Sequence, residues 1–136
     1  MMTAVDTPVL LDILLADPRF CQSSEEKLRK ARQQGRVIVC ETVIAEISPV
    51  FTSRMDLKSF LEETGIEFEP SIFETALLAG EMFKNYLMNK VTAKRVLPDF
   101  LVASHAVTSS ASLLARDRGY YREYFKDLKL IDPGAS

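Results

Sequence analysis

The sequence predicts an α/β protein with a mostly parallel central sheet. Three observations carry this. Short apolar or β-branched runs read as buried strands. Longer stretches of helical periodicity alternate with them, the pattern of strands joined by crossover helices. No internal repeat, linker or low-complexity segment interrupts the 136 residues, a length that fits one domain, 1–136.

The elements follow in order. Thr3-Ala4-Val5 is a short strand ending at Asp6. Thr7-Pro8 breaks it, and Val9 to Leu15 carries a helical apolar face that Asp17-Pro18 closes. Ser23 with Glu26 forms a capping-box pair opening a polar helix that Gly35 ends. Arg36 to Cys40 is the second strand, and Thr42 caps a helix from Val43 to about Pro49. A charged helix, Asp56 to Thr64, ends at Gly65, and Ile66 to Glu69 alternates as a strand. Ser71 with Glu74 is a second capping box. It begins the longest helix, to about Val91, with Ile72, Ala76, Ala79, Phe83 and Tyr86/Leu87 on one face.

A basic connector, Lys90 to Arg95, leads into a helix from Leu97 to Ser110. Pro98 suits its first turn, since the missing N–H would be unpaired there, and Asp99 is favoured by the helix dipole. Ser112 to Ala115 is a buried strand running into Arg116-Asp117-Arg118-Gly119. Tyr120 to Phe125 forms a helical turn, and Leu128 to Ile131 is the last strand.

The composition is that of an ordinary globular protein, 47% hydrophobic and 26% charged. A net charge of −2 and a pI of about 5.5 argue against binding nucleic acid through bulk charge, and leave room for a local basic patch or a bound cation. Cys21 and Cys40 lack metal-type spacing and read as reduced thiols. No leader and no apolar run long enough to span a bilayer is present, so the expected location is the cytoplasm, without a membrane partner.

Parallel sheets place ligands outside the carboxyl ends of their strands. Asp6 and Asp117 follow strands, Glu46 lies one turn into the helix after Cys40, and Asp99 opens a helix. All four can face one rim. Two like charges about 4 Å apart repel by about 4 kcal/mol at an effective dielectric of about 20, so such a gathering calls for a cation. Oxygen ligands select a hard ion, Mg²⁺ or Mn²⁺, and such a site suits phosphodiester hydrolysis.

The local sequences sharpen this. Val5-Asp6-Thr7-Pro8-Val9-Leu10-Leu11-Asp12, Glu41-Thr42-Val43-Ile44-Ala45-Glu46, Leu97-Pro98-Asp99-Phe100-Leu101-Val102-Ala103 and Leu113-Leu114-Ala115-Arg116-Asp117-Arg118-Gly119-Tyr120-Tyr121 resemble, in order, the four acidic motifs of PIN-domain ribonucleases. VapC-type toxins of bacterial toxin–antitoxin pairs are the nearest resemblance, over nearly the whole chain. It implies a three-layer α/β/α sandwich and a Mg²⁺- or Mn²⁺-dependent endoribonuclease. Asp6, Glu46, Asp99 and Asp117 match the acidic quartet. The resemblance makes Asp6 and Asp99 principal metal ligands, with Asp117 a direct or water-mediated ligand. Glu46 is then a ligand or orients the attacking water. It also implies an RNA substrate, a homodimer, and silencing by a small antitoxin protein. Two positions depart from the pattern: Pro8 replaces a small polar residue, and Ala115 replaces a Thr or Ser. Both thin the polar surroundings that tune metal affinity.

Lys94, Arg95 and Arg116 are the candidate RNA contacts, against the ordinary reading of solvated charges. Asp12 reads as a solvated or capping acid, His105 as a satisfied or surface histidine, and Tyr120, Tyr121, Tyr124 and Phe125 as core. Met82 and Met88 read as helix packing. Two other functions compete. One is a PIN-like module that binds RNA or protein without turnover. The other, a phosphotransfer receiver, needs an Asp ending a mid-chain strand and a Lys ending a late one. Cys40 and Ile131-Asp132 stand there instead.

Overall fold

The computed structural model describes residues 1–89, 96–117 and 119–134. Five strands, β1 (Met2–Val5), β2 (Arg36–Val39), β3 (Ile66–Phe68), β4 (Ser112–Leu114) and β5 (Leu130–Ile131), form one sheet in the order β3-β2-β1-β4-β5. Every pairing among them is parallel. The helices are α1 (Thr7–Leu14), α2 (Cys21–Gln34), α3 (Glu41–Ile47), α4 (Arg54–Thr64), α5 (Phe73–Asn89), α6 (Leu97–Thr108) and α7 (Tyr120–Tyr124). A 3₁₀ turn, Ser48–Val50, extends α3.

The topology decides where a ligand can sit. From β1 the chain moves outward through β2 to β3, then returns through α5 and α6 to β4 on the other side of β1. Parallel crossovers are right-handed, so this reversal puts the two sets of helices on opposite faces and makes an α/β/α sandwich. The reversal lies between β1 and β4, where Ala4 is in register with both Ile38 and Leu113. A crevice opens at the carboxyl ends of such strands. Burial of β1, β2 and β4 on both faces accounts for their apolar runs: Val5, Val37, Ile38, Val39, Leu113 and Leu114 are all 1% exposed or less.

Element boundaries differ from the expectation mainly at helix entries. α2 starts at Cys21, before the Ser23–Glu26 box, and the Ser23 hydroxyl donates to the Phe20 carbonyl. Asp17 takes the entry instead, accepting the amides of Arg19 (2.8 Å) and Phe20 (2.9 Å). The Ser71–Glu74 box is likewise replaced: Glu41 accepts the Ser71 amide and Thr75 accepts that of Ile72. At α2 a nearer carboxylate, Asp17, takes the amides, and at α5 Glu41 reaches the Ser71 amide from elsewhere in the fold. Ser53 caps α4 by accepting the Asp56 amide.

The buried face of α5 is Thr75, Ala79 and Tyr86, with Leu78, Met82 and Phe83 beside it. Of the expected stripe Ala79, Phe83 and Tyr86 face the core, while Ile72, Ala76 and Leu87 are exposed, so the buried face is rotated toward Thr75. Met88 is exposed as well. Thr75 accounts for part of the rotation, because its hydroxyl lies 2.7 Å from that of Thr108 on α6. Gly35 is required by a close approach: a Cβ there would stand 1.8 Å from the carbonyl oxygen of Met1. Among the described residues, no helix is long and apolar enough to cross a membrane.

Candidate active site

β1 ends where the Asp6 amide donates to the Leu114 carbonyl at 2.9 Å. Asp6 then turns in extended conformation to become the N-cap of α1, with Oδ1 accepting the Thr7 amide at 2.8 Å. An aspartate is favoured there for two reasons, the unpaired amides of the first turn and the helix dipole. Pro8 fits the same turn because it has no N–H to satisfy. Asp6 is 2% exposed, and its second oxygen, Oδ2, accepts the Tyr121 hydroxyl at 2.7 Å.

Two other acids converge on it. Glu46 projects from α3, where Oε1 accepts the Thr7 hydroxyl at 2.6 Å. Thr7 thus links the two acids, giving its amide to Asp6 and its hydroxyl to Glu46. Asp99 lies in the first turn of α6, half-buried, and its Oδ2 accepts the Tyr120 hydroxyl. The Asp6 carboxyl is pushed up to about 7. Burial is the main cause, and the charges of Asp99 and Glu46 add to it against the pull of Tyr121 and the Thr7 amide. Among the described residues no lysine or arginine forms an ion pair with Asp6, Glu46 or Asp99.

A sequence model of the PIN domain matches residues 3–126. The chain belongs to the PIN domain family. Solved structures share the fold at low identity. VapBC-1 of nontypeable Haemophilus influenzae superposes with a TM-score of 0.75 and 15% identity, over 99% of this chain and 100% of that one. VapBC2 of Rickettsia felis, bound to a DNA fragment from its promoter, gives 0.73 and 17% identity, over 97% and 98%. FitAcB of Neisseria gonorrhoeae gives 0.67 and 17% identity, over 97% and 98%. No curated protein matches the sequence.

In this PIN domain the fourth motif acid is engaged differently from the other three. Asp117 accepts the Gly119 amide at 2.9 Å and pairs with Arg122 at 3.1 Å, while its own amide donates to Asp132. Arg116 turns inward. Its guanidinium pairs at 3.0 Å with Asp12, which also accepts the Ser24 hydroxyl, and lies 4.3 Å from the Phe20 ring centre. Asp12 is therefore a buried ion-pair partner, 3% exposed, and not the solvated acid its spacing suggested. His105 is buried and satisfied, its Nε2 donating to the Glu69 carbonyl at 2.7 Å. Lys94 and Arg95 lie outside the described residues.

The oxygen donors at Asp6, Asp99 and Glu46 suit a hard divalent ion. Among the described residues, no group of three or more His, Cys, Asp or Glu side chains is arranged to hold one. That does not conflict with Mg²⁺ chemistry. Mg²⁺ keeps several waters and uses one or two carboxylates plus substrate phosphates, so it needs no closed protein cage. Asp6 and Asp99 are the residues that could hold it.

The sequence reading missed Thr7, Tyr120 and Tyr121 as members of the site. Thr7 carried a signal, a hydroxyl one residue past a motif acid. The tyrosines carried only a weak one, two phenols just past the Asp117 motif, where aromatic content suggested core.

Proposed function

We propose that the chain is a Mg²⁺- or Mn²⁺-dependent endoribonuclease, the toxin of a cytoplasmic toxin–antitoxin pair. One observation carries the reading. A buried carboxyl at the point where the sheet order reverses is crowded by two further acids, with no basic side chain among the described residues paired to any of the three. Family membership supports phosphodiester hydrolysis, and the structural likeness to VapBC and FitAcB supports an antitoxin partner. The resemblance of the acidic motifs to those of VapC-type toxins makes a homodimer the expected assembly.

In this reading Asp6 and Asp99 are the metal ligands, and Asp117 completes the quartet from the outer side of the site. When bound, Mg²⁺ or Mn²⁺ supplies polarisation of the phosphoryl oxygen and acidifies water. Glu46 orients the attacking water: the Thr7 hydroxyl fixes one of its oxygens and leaves the other to accept a proton. Lys94 and Arg95 hold phosphates of single-stranded RNA. Arg116 contributes through the part of its side chain that remains exposed, 30%.

A second reading, a PIN-fold binding module without turnover, is favoured by Ala115. It is fully buried and offers no hydroxyl beside the fourth motif. Cleavage separates the two. Purified protein free of antitoxin should cut single-stranded RNA with Mn²⁺ or Mg²⁺ and stop with EDTA. Asp6→Asn and Asp99→Asn should abolish cutting while remaining folded. An Asp99→Asn protein that cuts as fast as the parent would overturn the assignment. RNA binding without metal-dependent cutting would select the second reading.

A further inference from the structure

We propose that Tyr120 and Tyr121 are positioning residues of the acidic site, each holding one of its two principal carboxylates. This rests on the metal-nuclease reading above. The two phenols are consecutive on α7, yet they reach acids on different elements, far apart in sequence. Tyr121 donates to Asp6, 115 residues earlier, at the end of β1. Tyr120 donates to Asp99, 21 residues earlier, at the start of α6. A single short helix therefore sets the spacing between two acids that no hydrogen bond between β1 and α6 otherwise sets in the described contacts.

The geometry is built for this. Gly119, with a φ of 102°, supplies the left-handed turn that admits α7 directly after the Asp117 motif. The Tyr120 and Tyr121 rings pack edge to face with centroids 5.5 Å apart. Phe125 on the same segment packs edge to face on Phe100 at 5.3 Å, and Phe100 directly follows Asp99. The helix that carries the phenols is thus fixed to the helix that carries Asp99.

A third phenol on α7 gives the contrast. The Tyr124 hydroxyl is shielded from water and has no hydrogen-bond partner among the described residues. Tyrosine chemistry is used at 120 and 121 and unused at 124. Aromatic packing alone does not account for that difference. Each bonded phenol occupies one lone pair of one carboxylate oxygen, and even with the Thr7 amide on Asp6 Oδ1 each carboxylate keeps lone pairs for a cation. Tyr121 is buried, and Asp6 is the acceptor its hydroxyl meets.

Groups that orient metal-binding side chains typically cost about 10–100-fold in affinity when removed. The test is Mn²⁺ titration by calorimetry on the full chain without RNA, comparing the parent with Tyr120→Phe, Tyr121→Phe and Tyr124→Phe. Melting in EDTA checks that each is folded. Tyr120→Phe and Tyr121→Phe should each weaken Mn²⁺ at least 10-fold, and Tyr124→Phe should match the parent. A role confined to stability would lower the melting temperature in EDTA without changing the dissociation constant of the folded protein. Should Tyr121→Phe fail to fold, Tyr120→Phe, whose ring is only half-buried, carries the test. Folded variants that bind Mn²⁺ as tightly as the parent, or more tightly, overturn the proposal while leaving the nuclease reading intact. A parent that binds no Mn²⁺ overturns both.

Discussion

Asp6→Asn should stabilise the metal-free protein at alkaline pH and lose that advantage in acid. The substitution keeps the shape of the side chain. The Tyr121 hydroxyl can rotate from donating to accepting, so the hydrogen bonds survive. What disappears is the buried charge. The Asp6 carboxyl is raised from 3.8 to about 7, which means the folded chain holds this proton more tightly than the unfolded one. Its contribution to stability is therefore fully present below about 3.8 and is lost as the pH rises through about 7. The difference between those two values corresponds to a plateau on the order of 4 kcal/mol above pH 7. Unfolding entropy of about 2.1 cal/mol/K per residue gives roughly 0.3 kcal/mol/K for this chain, so the plateau amounts to about 10–15 °C in Tm.

The assay is urea and thermal denaturation of parent and variant in EDTA at several pH values between about 4 and 9. The stability difference, variant minus parent, should be small near pH 4, climb through the interval, and level off above about pH 8. Mn²⁺ should then close the gap from the parent's side, adding about 2.7 kcal/mol at a hundred times its dissociation constant. The variant should gain less. A difference that stays flat between about pH 5 and pH 8 would mean Asp6 ionises like a solvated carboxylate, and the case for crowded acids would fall with it.

Two other expectations concern the surroundings of the site. Changing Lys94 and Arg95 together to Ala should weaken RNA binding and reduce the slope of log K against log salt by up to about 1.4, since each lost single-strand phosphate contact removes about 0.7. An unaltered slope returns both to solvated surface. Asp12→Ala leaves Arg116 and the Ser24 hydroxyl without their shared acceptor and should cost about 2–3 kcal/mol in urea titration. This falls below the cost for a fully buried pair, because Arg116 still reaches water. A loss under about 0.5 kcal/mol would show that the pair contributes little to the fold.

The strands β1, β2 and β4 were legible because they are buried on both faces and therefore apolar without interruption, as at Val37, Ile38 and Val39. Turn chemistry placed Gly35 and Gly65 at helix ends correctly. The entry of α5 and the first part of its buried face were not legible, and for one reason. A capping box or an apolar stripe is a local signal, and a partner from another element outcompetes it. Glu41 reaches the amide of Ser71 across 30 residues, and Thr108 draws Thr75 inward across 33. Neither partner is visible from the sequence around Ser71 or Thr75.

The candidate site divides along the same line. Asp6 and Asp99 were legible because each sits where local rules favour an acid, at an N-cap and in a first helical turn. Position at the reversal of the sheet order then makes Asp6 a candidate site residue and not merely a cap. The groups that hold those acids were not legible, because a phenol in an aromatic segment carries no mark of what its hydroxyl meets. Arg116 has a hidden partner of its own. Its charge beside a motif acid suggested an RNA contact, and the fold also turns it onto Asp12, 104 residues away. The same physics explains both. A polar group entering this crowded rim must find a partner, and the rim supplies carboxylates. Arginine and tyrosine therefore settle on whichever acid the fold brings within reach, and only the fold says which one.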